Sequence, residues 1–362
     1  MNHDHDQTVS PERRKGRGAA FDPAVRFDPY VRTTEPDGWE REDDLPPLRT
    51  TVSTEVPRRV ISRNTSPDIS FDRSINPYRG CEHGCIYCFA RPSHAYLGMS
   101  AGLEFETRLI ARPKAPERLA RELSSPRYRV APIAIGTNTD PYQPIERDRK
   151  IMRRVLEVLS EFRHPVTVAT KGTLVERDAD ILGEMGQAGL ARVGISITTL
   201  DRDMARRLEP RVPSPARRLK AIETLARAGV PVRVMVSPVI PGLSDPEIES
   251  ILGAARDAGA VAASWIMLRL PYEVSPLFVA WLREHYPART GKIMSRLREM
   301  HGGKEYSATW HHRMRGEGPH AEMIGKRFDL ACARLGLDAT LPPLRNDLFH
   351  VPPRPGDQLS LF

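Results

Sequence analysis

Cys81, Cys85 and Cys88 stand in the run Asn76-Pro77-Tyr78-Arg79-Gly80-Cys81-Glu82-His83-Gly84-Cys85-Ile86-Tyr87-Cys88, whose C-x3-C-x2-C spacing puts three thiolates on one tight loop. Three thiolates are one too few to close a tetrahedral metal site. They are the right number to hold a four-iron cluster while one iron stays open to an outside ligand. Zinc is the competing reading, with His83 or His94 completing the tetrahedron. Zinc knuckles and ribbons, however, pair a C-x2-C with a second half further along, and no second half follows here. Gly80 and Gly84 bracket the first thiolates and would let backbone amides approach cluster sulfides.

The chain around this loop has 362 residues, enough for one large α/β domain with extensions. It has four cysteines, and the fourth, Cys332, lies far from the others. That is a poor disulfide framework and suits a metal loop in a reducing compartment, so a cytoplasmic location is expected. The first residues lack the basic and apolar regions of a signal peptide, and no apolar run reaches membrane-spanning length. Net charge is +8, which favours polyanionic partners such as nucleic acid, although a solvated enzyme surface carries such a balance equally well.

A loop of this kind needs a scaffold. Short β-branched runs at 131–136, 166–170, 193–198, 230–236 and 262–268 are each followed by an amphipathic stretch, at 147–162, 177–188, 215–228, 246–258 and 276–285. A strand around residues 74–78, leading into the cysteines, would be the first of six. Strand-then-helix recurrence predicts βαβ units and a parallel sheet. The expected fold class is therefore α/β, as a partial (βα)6 barrel over residues 55–275, with an open doubly wound sheet as the alternative. Helices at 290–300 and 320–335 predict a helical extension over 276–340. Residues 1–50 are polar, with no periodicity, and read as a disordered arm. Residues 341–362 read as a Pro-rich extended tail.

With the cysteine loop stand four phrases: Asp140-Pro141-Tyr142-Gln143-Pro144-Ile145-Glu146, Thr170-Lys171-Gly172, Pro238-Val239-Ile240-Pro241-Gly242-Leu243, and the Asn76-Pro77-Tyr78-Arg79-Gly80 that precedes Cys81. Together they resemble the radical S-adenosylmethionine (radical SAM) superfamily and, within it, the spore photoproduct lyase-like branch, over residues 55–335 or so. The resemblance implies a 4Fe-4S cluster on Cys81, Cys85 and Cys88, with S-adenosyl-L-methionine chelating the open iron. It also implies an external electron donor and cleavage of the sulfonium to a 5′-deoxyadenosyl radical that abstracts a substrate hydrogen. Cofactor contacts are then expected at the C-terminal strand ends. Thr139 and Asp140 would meet the amino group or ribose, and Lys171 the carboxylate. Ser196 would face the interior, Tyr87 would pack near adenine, and Val239 and Ile240 would form its apolar wall. Each has an ordinary alternative: Lys171 as a solvated loop cation, Ser196 as a small core filler, Asp140 as a turn residue before Pro141. Spore photoproduct lyases carry a hydrogen-donating cysteine near the end of the second strand, where this chain has Thr137. That departure puts in doubt that the protein is itself a thymine-dimer lyase.

Two further segments point to nucleic acid. Residues 304–320 interleave Tyr306, Trp310, His311, His312, Arg313 and Arg315, a composition suited to stacking bases and neutralising phosphates, or else to a lid over the barrel mouth. The terminal Gln358-Leu359-Ser360-Leu361-Phe362 matches the peptide with which bacterial DNA-metabolism proteins dock on the replicative sliding clamp. Leu359, Leu361 and Phe362 would fill apolar pockets and Gln358 would hydrogen-bond at the rim. The leading expectation is a radical SAM enzyme acting on DNA, as in lesion repair. The alternatives are the same chemistry on RNA or protein, or a zinc-stabilised nucleic-acid-binding module without catalysis.

Overall fold

The computed structural model describes residues 8–30, 45–338 and 340–353. Its strands, in chain order, are β1 (Thr51–Thr54), β2 (Ser62–Arg63), β3 (Arg73–Ile75), β4 (Tyr78–Arg79), β5 (Arg108–Ala111), β6 (Ile133–Ile135), β7 (Val166–Thr170), β8 (Ala191–Ser196), β9 (Val232–Val239) and β10 (Ala262–Met267). Seven make one sheet in the order β10-β9-β8-β7-β6-β3-β2. All its pairings from β3 to β10 are parallel, and β2 alone runs antiparallel, against β3. Six parallel strands in chain order, with β3 and β10 unpaired to each other, form the partial (βα)6 barrel.

Each strand divides its side chains between two faces. In β7, Val166 and Val168 pack with Val155, Leu159 and Leu182 of the flanking helices, whereas Ala169 turns to the opposite side, where a cavity lies. The helix expected over 147–162 is split into Glu146–Arg149 and Ile151–Glu161 by Lys150, at φ 49°. The cause is the buried Glu146 carboxylate, which accepts hydrogen bonds from the amides of Ile151 (3.0 Å) and Met152 (3.1 Å) and so caps the second helix.

The strand expected at 74–78 is also divided. β3 ends at Ile75, and after Asn76-Pro77 the chain enters β4, which pairs with β5 in a small second sheet, β1-β5-β4. Strands of two to four residues show no alternation long enough to read in a sequence.

The expected disordered arm does not extend to residues 8–30. Ala19, Ala20 and Phe21 are buried, and the amides of Gly18 and Ala19 each donate to the Glu106 carboxylate at 2.9 Å. Arg17 donates to the carbonyls of Glu106 and Leu48, both at 3.0 Å. This anchoring runs through backbone and charge and leaves no hydrophobic periodicity behind. Residues 1–7 and 31–44 lie outside the described residues.

At the other end, helices Val274–His285, Thr290–Met300 and Gly318–Leu335 form the extension. It covers the free edge of β10, where the Met267 amide donates to the Met314 carbonyl at 2.9 Å and Ala263 to Leu337 at 3.2 Å. The first part of the Pro-rich tail docks rather than extending freely: the Phe349 ring packs against Tyr128, Phe162 and His164. Gln358, Leu359, Leu361 and Phe362 lie outside the described residues. Among the described residues no helix is long and apolar enough to cross a membrane.

Candidate active site

The cysteine loop leaves β4 through Gly80, at φ 71°, where an added Cβ would sit 2.9 Å from the Phe105 carbonyl oxygen. That approach lets the Cys81 amide donate to the same carbonyl at 3.0 Å. Below the loop, Arg91 and Glu106, both fully buried, form an ion pair at 2.5 Å. Arg91 also donates to the carbonyls of Cys85 (3.0 Å), Gly84 (3.2 Å), Ala101 (3.1 Å) and Gly102 (2.9 Å). A buried guanidinium with its donors used this fully holds the loop in one conformation. Glu106 in turn ties the loop to Gly18 and Ala19 of the N-terminal segment.

All three cysteines line one cavity, open on one side, with about 950 Å³ of empty space including its mouth. Its other walls come from the ends of β6 to β10 and the turns that follow, including Thr137, Lys171, Ser196, Met235, Ser237, Pro238, Met267 and Arg269. This is the end of a barrel at which ligands bind. Burial pushes the Cys85 and Cys88 thiols above their ordinary range, reinforced for Cys85 by Glu209 and for Cys88 by Cys81. Buried thiols of this kind fit a group that brings its own positive charge, because an iron ion reverses that preference. Among the described residues no three His, Cys, Asp or Glu side chains stand at metal-ligand distance, so the thiols share a wall without forming a closed cage. Each histidine has one ring nitrogen engaged, His94 Nε2 with the Arg108 carbonyl at 3.0 Å and His83 Nδ1 3.3 Å from Asp140, and among the described residues neither joins the cysteines in a group of three or more that could hold a metal ion.

A charged network fixes the wall opposite the cysteines. Burial would raise Asp140, yet the His83 imidazolium and the hydrogen bonds of the Lys171 amide (2.7 Å) and the Thr170 hydroxyl (2.5 Å) hold it at about 2. For His83, burial lowers the pKa, and Asp140 with Cys81 outweighs it, to about 10. Lys171 Nζ donates to the Ser196 hydroxyl and to the Ser237 carbonyl (3.2 Å), and lies 3.9 Å from Glu209. Glu209, fully buried, accepts from Tyr87, from Thr198 at 2.9 Å and from Arg218 at 2.5 Å. Burial raises its pKa, but the Arg218 and Lys171 cations together bring it below the usual range.

The expected contacts therefore divide. Lys171, Ser196 and Tyr87 meet at the cavity wall. Thr139 lines the cavity, but its hydroxyl donates to the Tyr78 carbonyl at 2.9 Å, and the Asp140 carboxylate is taken up by His83, Thr170, Tyr142 and the Lys171 backbone. Both hold the loop that shapes the wall. Val239 and Ile240, expected as the apolar wall, are fully buried in the packing on either side of it. Between Val236 and Val239 β9 advances three residues while β10 advances two, and this bulge turns Val239 back towards the helices. The apolar wall is Met235, Pro238, Ile266, Met267 and Phe89 instead. Glu209, Thr198, Ser237 and Arg269 escaped the sequence reading, since no local motif marks a carboxylate that meets Tyr87 across 122 residues.

A family model described as the radical SAM superfamily matches residues 75–255. The chain belongs to that superfamily. Among curated relatives, the uncharacterized protein Rv2578c of Mycobacterium tuberculosis is 35% identical over 235 residues, 64% of this chain and 68% of the relative. The uncharacterized protein MJ0683 of Methanocaldococcus jannaschii is 27% identical over 213 residues, 59% of this chain and 76% of its own. Among solved structures, spore photoproduct lyase complexed with dinucleoside spore photoproduct superposes with a TM-score of 0.57 at 15% identity, covering 78% of this chain and 79% of that one. A variant of the same enzyme with bound AdoMet and the dinucleoside gives 0.56. At such identity the likeness is one of fold.

Proposed function

We propose that this protein is a radical SAM enzyme in which Cys81, Cys85 and Cys88 hold a 4Fe-4S cluster and the adjoining wall binds S-adenosyl-L-methionine. The observation that carries this reading is that the three thiols and Lys171 with Ser196, from distant parts of the chain, line one cavity at the strand ends. Bound there, the pair supplies reductive cleavage to a 5′-deoxyadenosyl radical, with the electron from an external donor. Lys171, held by Ser196 and the Ser237 carbonyl, pairs with the cofactor carboxylate. Tyr87, anchored through its hydroxyl to Glu209, offers its ring as an adenine platform. Met235, Pro238 and Met267 keep water from the reacting atoms.

The substrate in this reading is DNA, in a repair-type reaction carried out in the cytoplasm. Support comes from the net charge of +8, the aromatic and basic run at 304–320, and the fold shared with an enzyme solved with a dinucleoside photoproduct. Thr137 at the cavity, in place of a cysteine, implies a different final hydrogen donor from that of the photoproduct lyases. The terminal Gln358, Leu359, Leu361 and Phe362 are proposed to bring the enzyme to the sliding clamp.

The decisive experiment is anaerobic reconstitution followed by reduction with S-adenosylmethionine. About four irons and four sulfides per chain, with 5′-deoxyadenosine and methionine formed, are expected. One zinc without labile sulfide, or cleavage that survives Cys81→Ala, Cys85→Ala and Cys88→Ala, would overturn the reading. Deuterium transfer from labelled DNA, RNA or peptide into 5′-deoxyadenosine then identifies the substrate class.

A further inference from the structure

Four side chains that carry charge line the cavity: His83, Asp140, Lys171 and Arg269. His83 and Asp140 pair with each other, and Lys171 approaches Glu209. Arg269 has no ion-pair partner among the described residues. Its Nη2 donates to the Tyr306 hydroxyl at 3.2 Å, and its Nε is buried without any hydrogen-bond partner. The guanidinium carbon stands 4.9 Å from the centre of the Phe89 ring and 5.8 Å from that of Tyr306. Two aromatic rings thus hold a cation in place at the cavity wall while leaving donors unused, and a planar guanidinium so placed is a receptor for an oxyanion.

Phe89 is 46% exposed, a large apolar ring left open to solvent at the cavity's edge. Tyr306 belongs to the aromatic and basic run, which passes the same edge because the Met314 carbonyl pairs with Met267, itself a cavity residue. Trp310 in that run is 53% exposed. An oxyanion receptor beside open aromatic faces matches a phosphodiester beside a flat base better than it matches a peptide carboxylate, which would use the cation and leave the rings bare.

We infer that Arg269 binds a backbone phosphate of a nucleic-acid substrate, with Phe89 stacking on the adjoining base, so that the nucleotide is presented to the cavity. This rests on the nucleic-acid reading of the proposed function. It differs from the cofactor assignments, which use Lys171.

The test compares the reconstituted full-length wild type with Arg269→Ala, Arg269→Lys and Phe89→Ala. It measures anisotropy of a short fluorescent single-stranded oligodeoxynucleotide across a salt series, and S-adenosylmethionine affinity in parallel. Arg269→Ala is expected to weaken oligonucleotide binding about tenfold and to reduce the salt slope by about one phosphate contact. Arg269→Lys should fall between, Phe89→Ala should weaken binding without changing the slope, and S-adenosylmethionine affinity should be unchanged in the two Arg269 variants. Unchanged oligonucleotide affinity and slope in Arg269→Ala, with a wild type that binds, would overturn the role of Arg269 and leave the nucleic-acid reading standing. A wild type that binds no oligonucleotide but binds an acidic peptide through Arg269 would overturn both. Thermal melting of each variant, with iron content, separates loss of contact from loss of fold.

Discussion

The phenol of Tyr87 donates to the carboxylate of Glu209, which is itself fully buried and paired with Arg218 at 2.5 Å. The residue just before the last cysteine is thereby tied to the end of the helix Arg202–Leu208, and through Arg218 to the backbone of Ser196 at 2.9 Å. One carboxylate fixes the cysteine loop against the strand that carries the opposite wall.

Removing that carboxylate strands a buried guanidinium. Glu209→Ala is expected to lower unfolding free energy by about 3–5 kcal/mol, whereas Tyr87→Phe, which removes one hydrogen bond and leaves the ion pair, should cost about 1 kcal/mol. Urea unfolding of the two variants measures the difference. Equal, small losses would mean that the ion pair does not hold the loop.

Lys171→Ala removes the cation proposed to pair with the cofactor carboxylate. An affinity for S-adenosylmethionine lower by about tenfold or more is expected, with iron content retained. Equilibrium binding to the anaerobic holoenzyme checks this, and wild-type affinity would return Lys171 to a purely structural place beside Glu209.

The N-terminal segment should matter for cluster retention. A Cβ at Gly18 would meet the Gly84 carbonyl oxygen at 1.9 Å, which forces the segment off the loop. Gly18→Ala is expected to cost about 2 kcal/mol or more and to lower the iron bound per chain after desalting.

Stability should fall in mild acid through His164. Burial lowers its imidazole from 6.5 to about 4, and its partners fit the neutral ring: Nδ1–H faces the Pro165 carbonyl at 2.9 Å, and Nε2 accepts from Tyr128 at 2.7 Å. The unfolded chain binds the proton first, so this contribution is full above pH 6.5 and is lost as pH falls towards 4, amounting to about 3 kcal/mol. Denaturant midpoints of the wild type should decline across that window, and those of His164→Gln should decline less.

Deleting residues 358–362 is expected to abolish binding to purified sliding clamp and to leave 5′-deoxyadenosine formation intact. Clamp binding that is the same, or absent, in both forms would remove the clamp from the picture.

Local chemistry was legible wherever a short run carries its own geometry. The strand at 166–170 and the helix at 290–300 fall where their periodicity puts them, and the cysteine loop stands where its glycines and spacing require. What the periodicity passed over depends on single long-range contacts. Lys150 breaks a helix because Glu146 caps the next one, Val239 leaves the cavity because β9 carries one extra residue, and residues 17–19 are fixed by Glu106.

The sequence by itself determined the three thiols, the βα order that must carry them and the charge of the surroundings, since these follow from spacing, period and composition. Only the tertiary structure decided that Asp140 is occupied by His83 and Thr170, that Glu209 and Arg218 stand behind Tyr87, and that Arg269 faces the cavity with no ion-pair partner among the described residues. The physical reason is that a charged group acts according to its distance and burial relative to other charges, and folding sets both between residues far apart in the chain.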